Sequence, residues 1–394
     1  MKPTLSHAGN PWRRVAWLGL VSLLIAIASE SARAAGGPLL RSLGAGAAAV
    51  GFVAGAGELL GYTLRLAAGK LADRPGGPWR MLAAGTAIGL CAVAALSLAG
   101  PWPMAAVLLV VERIGRAVRS PARDVMVASL SEGVGHGRGF GFHRLFDQVG
   151  GIVGPLALAA LLEASFSYQR SFAILVVPAA GSLVLLAAIR GMHVEAPSMA
   201  GFEPASRTKL PGTFWLLCSV AAMLAAGTAD FALIAFHYAR TGAVSEPALP
   251  ALYAAAMTVE AGAALALGFV LHRVGAASLL FTIALSIAAA PLVFTNAVSP
   301  FIAISVWSAG MGGQYLLLRA LVPQIAPQER WGSAFGWFNA VFGAAWFAGS
   351  GAMGVAYAHR PSWVAGIGAV LQMSAVPAVV ALSRTTAKRS AIKR

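Results

Sequence analysis

The chain has 394 residues, of which 58% are hydrophobic and 11% are charged. Soluble globular proteins carry about 25% charged residues, so this composition indicates an integral membrane protein rather than a soluble one. The formal net charge is +15. We ascribe this charge to positively charged cytoplasmic loops and expect no nucleic-acid partner.

Twelve apolar runs follow one another along the chain, and each approaches or exceeds the roughly 20 residues that a transmembrane helix needs. The runs cover residues 14–40, 45–71, 79–100, 102–124, 139–163, 169–191, 212–240, 250–271, 276–297, 300–323, 332–358 and 362–383. We therefore predict an all-α integral membrane fold with twelve transmembrane helices.

One connection is longer than the others. Residues 192–211 contain three prolines and several charged residues, a composition typical of a linker. This linker predicts an N-terminal six-helix half at 1–191 and a C-terminal six-helix half at 212–394.

Positive residues are distributed unequally between the two sets of loops. One set holds most of the Lys and Arg, including both termini, whereas the opposite set holds Arg41, Arg170, Arg240 and Arg360. Cytoplasmic loops of membrane proteins are enriched in these residues. We expect both termini and the 192–211 linker to be cytoplasmic, in a bacterial inner membrane.

The turn between the second and third predicted helices carries Gly69, Asp73, Arg74 and Gly76. Glycine permits close backbone approach, and charges are tolerated at the membrane surface. The spacing Gly-x-x-x-Asp-Arg-x-Gly resembles the loop between helices 2 and 3 of the major facilitator superfamily of secondary transporters. A related segment, Gly268–Gly275, occurs in the second half with His in place of Asp, as expected for internal repeats.

This resemblance implies the superfamily fold of two pseudo-symmetric halves and a gating role for the turn. In the superfamily, the aspartate pairs with basic residues at the inner end of helix 4 and with the start of helix 11. The matching positions here are Arg119 or Arg123, and the turn near Ser333. We expect Asp73 to stabilise the closed cytoplasmic side, and His272 not to reproduce that role in the second half.

The fourth and fifth predicted helices add a second resemblance. The runs 112–124 and 139–147 look like the signature of a bacterial exporter-like branch of the superfamily. Within the fifth helix, Gly141, Gly150, Gly154 and Pro155 resemble the antiporter signature of drug-exporting members, although Leu158 and Ala159 replace its final glycines. The alternative is close helix packing through small residues with a proline kink.

Charged residues inside the predicted helices are candidates for the substrate and proton pathway, because a charge at a helix centre costs at least about 2.5 kcal/mol. The superfamily's central cavity is lined by helices 1, 4, 7 and 10, which places four of these residues at the cavity and three at its walls. The candidates are Glu30, Arg33, Arg113 and Asp230 at the cavity, with Glu58, Asp147 and Glu260 at the walls. A carboxylate there can bind and release a proton near neutral pH. The alternative is structural ion pairing, for example of Glu30 with Arg33 or Arg113.

The pattern contains neither a phosphate-binding loop nor a metal-ligand cluster of His and Cys. We therefore expect no enzyme activity, no cofactor and no bound metal. The first hypothesis is a monomeric, proton-coupled exporter of a small organic compound, and the second is a proton symporter that imports a metabolite or organic ion. A hypothesis of another class is a sensor or scaffold that kept the fold without transport.

The distribution of Lys and Arg yields a testable topology. A reporter enzyme that is active only outside the cytoplasm should be inactive when it is fused after Arg394. The same reporter inserted in the loop near Arg240 should be active. Activity at the first position would contradict the predicted orientation.

Overall fold

The computed structural model describes residues 11–72, 77–130, 136–191, 209–295, 297–327 and 330–392. The N-terminal helices are α1 (Pro11–Ser42), α2 (Ala47–Ala72), α3 (Gly77–Ala95), α4 (Trp102–Leu130), α5 (His136–Glu163) and α6 (Tyr168–Gly191). The C-terminal helices are α7 (Gly212–Ala226), α8 (Phe231–Thr241), α9 (Ala248–Val274), α10 (Ser278–Phe294), α11 (Pro300–Ile325), α12 (Trp331–His359), α13 (Pro361–Ser374) and α14 (Val376–Ile392).

In the described part of the chain, these helices form twelve crossings, because α7 with α8 and α13 with α14 each make one interrupted crossing. Nine helical stretches among the described residues are long and apolar enough to span a membrane. Helix α4 is not one of them, since Glu112, Arg113 and Arg116 lie at its centre. The all-helical, twelve-crossing architecture confirms the sequence prediction. The proposed linker at 192–211 lies almost entirely outside the described residues, so the boundaries of the two halves stay a prediction.

The two interruptions have local causes. Helix α7 ends at Gly227, and Asp230 then caps α8 by accepting a hydrogen bond from the Ala232 amide at 2.9 Å. A carboxylate at this position satisfies one of the amide groups that a helix start leaves unpaired. In the last crossing, Pro377 lacks an amide hydrogen and interrupts the helix just after Ala375.

Helices pack closely within each group, and several of them also meet between the groups. Helix α1 packs on α5 and α6, α3 packs on α4, and α11 packs on α9 and α10. The largest contacts between the groups are those of α2 with α12, α5 with α9, and α1 with α8, and smaller ones join α2 to α8 and α1 to α9. These contacts enclose the space in which the charged residues lie.

Small residues form the contact between α2 and α12. A Cβ atom on Gly354 would stand 2.7 Å from the Ala47 carbonyl oxygen and 3.1 Å from the Gly51 Cα, and one on Gly55 would stand 2.9 Å from the Phe347 Cα. Distances this short mean that two backbones touch directly, which is the usual function of glycine between membrane helices. Near the same end of the bundle, Arg41 forms an ion pair of 3.1 Å with Glu246. These contacts close the end of the bundle that is opposite to the C-terminal end of α2.

The backbone contact at Gly354 can be tested by adding one methyl group. We expect Gly354→Ala to lower the free energy of unfolding by about 1–3 kcal/mol, the usual range for overpacking. Thermal unfolding in detergent measures the change. Gly366→Ala is the matched control, because a Cβ there meets nothing within 4 Å. Equal stability of the two variants would show that the contact is absent.

Candidate functional site

A cavity of about 1360 Å³ lies between the two groups of helices. It reaches from the middle of the bundle to the end where α4 ends and α12 begins. The exposed side chains of Arg144 and Asp124 lie at its mouth. One wall is charged and comes from α1, α2, α4 and α5. The other wall is largely aromatic, with Phe231, Tyr253, Trp307, Tyr315, Phe335, Trp337, Phe342 and Trp346.

The charged wall is organised around Arg116. Its guanidinium contacts the Glu30 carboxylate of α1 at 2.5 Å and the Glu112 carboxylate of its own helix at 3.2 Å. Glu112 and Arg116 are four residues apart, the spacing at which side chains meet on a helix. Arg116 therefore connects α1 to α4 through a buried pair of carboxylates.

A second set of ion pairs joins α2 to the same cluster. Glu58 pairs with Arg33 of α1 and with Arg113 of α4, the latter at 3.4 Å, and Arg113 also lies 3.6 Å from Glu112. The cluster therefore contains three glutamates and three arginines and carries no net charge. Mutual pairing is the condition under which buried charges are tolerated, since an uncompensated one is strongly destabilising.

One residue from the opposite group completes this cluster. The Tyr253 hydroxyl of α9 donates a 2.8 Å hydrogen bond to Glu30. Near it, the Gln148 amide of α5 donates to the Met257 carbonyl at 3.1 Å. The α5–α9 contact therefore brings the charged wall and the aromatic wall together at mid-depth.

Asp230 and Glu260 lie on the aromatic side of the cavity, in two different settings. Asp230 is held by the Ala232 amide and by the Trp346 indole, which donates to it at 3.2 Å. Glu260 lies against α11, with its Cδ 3.3 Å from where a Cβ on Gly312 would stand. Among the described residues, no basic group comes within 4.0 Å of Glu260 and none forms a hydrogen bond with it.

The mouth of the cavity contains a further group of charges. Arg123 contacts Asp124 at 3.0 Å and Asp147 at 4.0 Å, and Arg144 contacts Asp147 at 3.0 Å. Arg119 is buried against α3, and its Nη1 has no hydrogen-bond partner in the described part of the chain. The expected partner of these arginines, Asp73, lies outside the described residues together with Arg74 and Gly76, and nothing is described of the Gly69 surroundings.

All seven predicted pathway residues line the cavity: Glu30, Arg33, Glu58, Arg113, Asp147, Asp230 and Glu260. The expected pairing of Glu30 is different, because Arg116 contacts it whereas Arg33 and Arg113 contact Glu58. In the sequence, the four-residue spacing of Glu112 and Arg116 on the fourth helix indicates that these two residues pair with each other.

Two buried histidines, His143 and His237, have local partners. His143 forms a 2.8 Å hydrogen bond with Ser22 of α1. His237 lies 2.9 Å from the Tyr357 hydroxyl. Both contacts are structural in geometry, since each joins two packed helices.

The glycines of the fifth-helix motif mostly contact another helix. A Cβ on Gly150 would stand 3.0 Å from the Leu23 Cα, and one on Gly154 would stand 2.7 Å from the Ile27 Cα. Gly141 has nothing within 4 Å, and Pro155 lies inside the helix. This geometry supports the packing alternative for Gly150 and Gly154, because they allow α5 to touch α1.

The described residues form an all-helical bundle of twelve crossings around a central cavity, which is the architecture of many secondary transporters. The sequence profile of the Major Facilitator Superfamily matches residues 18–350. The chain belongs to this superfamily. It is therefore a transporter by family and not an enzyme.

Two relatives show the extent of the sequence similarity. An uncharacterized protein of Mycobacterium tuberculosis is 35% identical over 361 residues, which cover 89% of this chain and 87% of the relative. An uncharacterized MFS-type transporter of Methanocaldococcus jannaschii is 28% identical over 176 residues, covering 44% of this chain and 43% of the relative.

Solved structures show the same fold. The nucleoside transporter NupG has a TM-score of 0.79 at 12% identity, covering 93% of this chain and 99% of NupG. A bacterial homolog of the human lysosomal transporter Spinster has a TM-score of 0.69 at 16% identity, covering 96% of this chain and 98% of its own. At these identities the similarity concerns the fold alone.

The importance of Arg116 can be measured through stability. We expect Arg116→Met to lower the free energy of unfolding by about 3–5 kcal/mol, because Glu30 and Glu112 lose their shared counter-charge. Arg41→Met is the control, since it breaks the partly exposed pair with Glu246 and should cost less than about 1 kcal/mol. Thermal and denaturant unfolding in detergent provide both values. An equal loss in the two variants would contradict a compensated buried cluster.

Proposed function

We propose that this transporter exports a small organic compound in exchange for protons, by alternating access of its central cavity. It acts as a monomer in a bacterial inner membrane with both termini cytoplasmic. The two halves, 1–191 and 212–394, rock about the cavity while the linker keeps them together. The second possibility is a symporter that imports its substrate together with a proton. Export and import would use the same cavity and the same coupling group.

The position of Glu260 carries the proton-coupling part of the proposal. A coupling group must lose and gain a proton during the cycle, so a permanent counter-charge hinders it. Glu30 and Glu58 each have arginine partners, whereas no basic group among the described residues lies within 4.0 Å of Glu260. A carboxyl group in a cavity wall without a partner cation is suited to carry a proton across the membrane.

Asp230 is the second candidate for this proton. Its two oxygens accept hydrogen bonds from the Ala232 amide and the Trp346 indole. Both contacts hold the carboxylate in place, and the bond from Ala232 caps the start of α8. This arrangement supports a structural function for Asp230 and makes Glu260 the better candidate.

The alternating-access part of the proposal is based on the different structures of the two ends of the cavity. The mouth lies at the end where the Lys and Arg pattern predicts the cytoplasm, which corresponds to an inward-open state. The opposite end is closed by the Arg41–Glu246 ion pair and the glycine contact of α2 with α12. To reach an outward-open state, these contacts must separate, and a partly exposed ion pair imposes little resistance to separation.

The walls of the cavity support an organic substrate. A charged wall faces an aromatic wall at the same depth. Binding sites for small organic molecules combine an apolar surface with a few oriented polar groups. A simple inorganic ion would make little use of the aromatic wall.

The coupling group is tested with Glu260→Gln in proteoliposomes. The substrate is a compound identified by a ligand-stabilisation screen on the purified protein. We expect pH-driven accumulation to fall to background while exchange of substrate across the membrane without a gradient continues. Uphill transport by a stable Glu260→Gln variant would rule out this residue as the coupling site.

Two controls separate coupling from folding. Asp230→Asn removes an uncoupled cavity acid and should retain pH-driven transport. Glu30→Gln should instead lower thermal stability, because it leaves Arg116 partly uncompensated. The direction of the imposed pH gradient that drives accumulation distinguishes antiport from symport.

A further inference from the structure

Three arginines that line the cavity, Arg65, Arg119 and Arg319, are not part of any ion pair described above. Arg119 is buried against α3, whereas the other two stack on tyrosine rings. Arg65 lies on α2, and its guanidinium carbon is 5.1 Å from the centre of the Tyr62 ring. Arg319 lies on α11, 5.2 Å from the Tyr315 ring centre, and its Nη1 donates a 2.5 Å hydrogen bond to the Tyr315 hydroxyl. The two tyrosine rings are 6.4 Å apart. One arginine–tyrosine pair therefore comes from each half of the molecule and the two pairs meet in the cavity.

The other arginines of the cavity are largely compensated. Arg33, Arg113 and Arg116 pair with three glutamates, and Arg123 and Arg144 pair with aspartates. These contacts leave few free carboxylates on the charged wall. The positive charges of Arg65 and Arg319 are therefore not neutralised by the carboxylates of the charged wall, which are already paired with other arginines.

No carboxylate of the described residues lies within 4.0 Å of Arg65 or Arg319. Glu58, two turns from Arg65 on the same helix, is engaged by Arg33 and Arg113. The Nε of Arg65 is buried and has no hydrogen-bond partner in the described part of the chain. A buried guanidinium donor without a partner is unfavourable, which points to a ligand that supplies the acceptor.

Snorkelling of long side chains to the membrane surface is the plain structural explanation for arginines near helix ends. The tyrosine rings argue against it here, because they hold both guanidinium groups against the cavity wall. Ring faces attract cations, so the stacking fixes the position of each group without neutralising its charge. The result is a rigid pair of donors with unused hydrogen-bonding capacity.

We propose that Arg65 and Arg319 bind the carboxylate, phosphate or sulfonate group of an organic anion, and that this anion is the transported substrate. The proposal rests on the proposed transport of an organic compound through this cavity. Guanidinium groups bind such oxyanions through paired hydrogen bonds that lysine does not reproduce. The substrate class is an organic anion with an aromatic or other flat apolar body.

The aromatic residues beside the arginines define where this body lies. Phe342 contacts Tyr62 at 5.3 Å, Tyr315 at 5.6 Å and Trp346 at 5.6 Å between ring centres. These rings form a continuous apolar surface from the arginine pair into the middle of the cavity. An anion held at the arginines therefore directs its body along this surface.

The arginines belong to different halves, and this has a consequence for the cycle. A single anion bound by both groups bridges α2 and α11. It adds an attraction between these two helices, whose arginines carry charges of the same sign. Substrate binding thus favours closure of the mouth.

The proposal is tested by binding to the purified full-length protein in detergent, without any gradient. The probes are benzoate, 2-naphthoate, indole-3-acetate and phenyl phosphate, each compared with a neutral alcohol and an amine that carry the same ring. We expect at least one anion to raise the midpoint of thermal unfolding, and its neutral and cationic counterparts to bind at least tenfold more weakly. Equal effects of the three charge classes, or no effect of any anion, would overturn the assignment.

Variants identify the residues. Arg65→Gln and Arg319→Gln should each weaken binding of that anion at least tenfold, which corresponds to about 1.4 kcal/mol. Arg65→Lys keeps the charge and should recover binding only in part. Arg170→Gln removes an exposed arginine from the opposite end of the bundle and should leave binding unchanged. Unchanged binding in folded Arg65→Gln and Arg319→Gln would also overturn the assignment.

A phospholipid headgroup offers the same chemistry as a soluble anion. The same measurements in mixed micelles with phosphatidylglycerol distinguish the two sources. Binding of phosphatidylglycerol through Arg65 and Arg319 without binding of any soluble anion would overturn the substrate assignment. Failure of proton coupling is a separate result, because coupling is measured as pH-driven flux in proteoliposomes, whereas anion binding is measured in detergent without a gradient.

Discussion

Neutralisation of charge inside an apolar bundle is the constraint on which the rest of this structure depends. Helix α4 carries more charge than a lipid-facing helix tolerates, so its charged face is covered by α1 and α2. The acids and bases that meet there are equal in number. This pairing fixes three helices around Arg116 and positions the charged wall of the cavity. The arrangement of α1, α2 and α4 therefore depends on ion pairing as well as on apolar packing.

The two walls of the cavity have different chemistry because the two halves contribute different side chains. The first half concentrates buried charge, whereas the second half contributes aromatic side chains and two acids that no cation approaches within 4.0 Å among the described residues. Tyr253 joins the walls through its bond to Glu30. A pseudo-symmetric fold therefore produces an asymmetric site. This asymmetry separates a region in which buried charges are paired from cavity residues that have no ion-pair partner in the described part of the chain.

Sequence reasoning found the twelve crossings, the family and the residues of the cavity wall, because apolar length and intramembrane charge are local properties. It did not find which charges pair, since the spacing of Glu30 and Arg33 on one helix says nothing about the neighbouring helix that Arg116 occupies. It also missed Arg65 and Arg319. Each lies near a helix end, where arginine is common, and only the structure shows that they stack on Tyr62 and Tyr315. The turn at residues 73–76 is outside the described chain and stays a prediction.

The glycine contact between α2 and α12 has a consequence for the speed of the transport cycle. Where Gly51 and Gly354 meet, the surfaces consist of backbone atoms with no side-chain rotamers. Ordering a long side chain at an interface loses about 1–2 kcal/mol of conformational entropy, whereas glycine loses none from its side chain. Two such surfaces separate and rejoin without repeated ordering and disordering of side chains. The contact between α2 and α12 at these glycines therefore combines close packing with a small side-chain entropy change on separation.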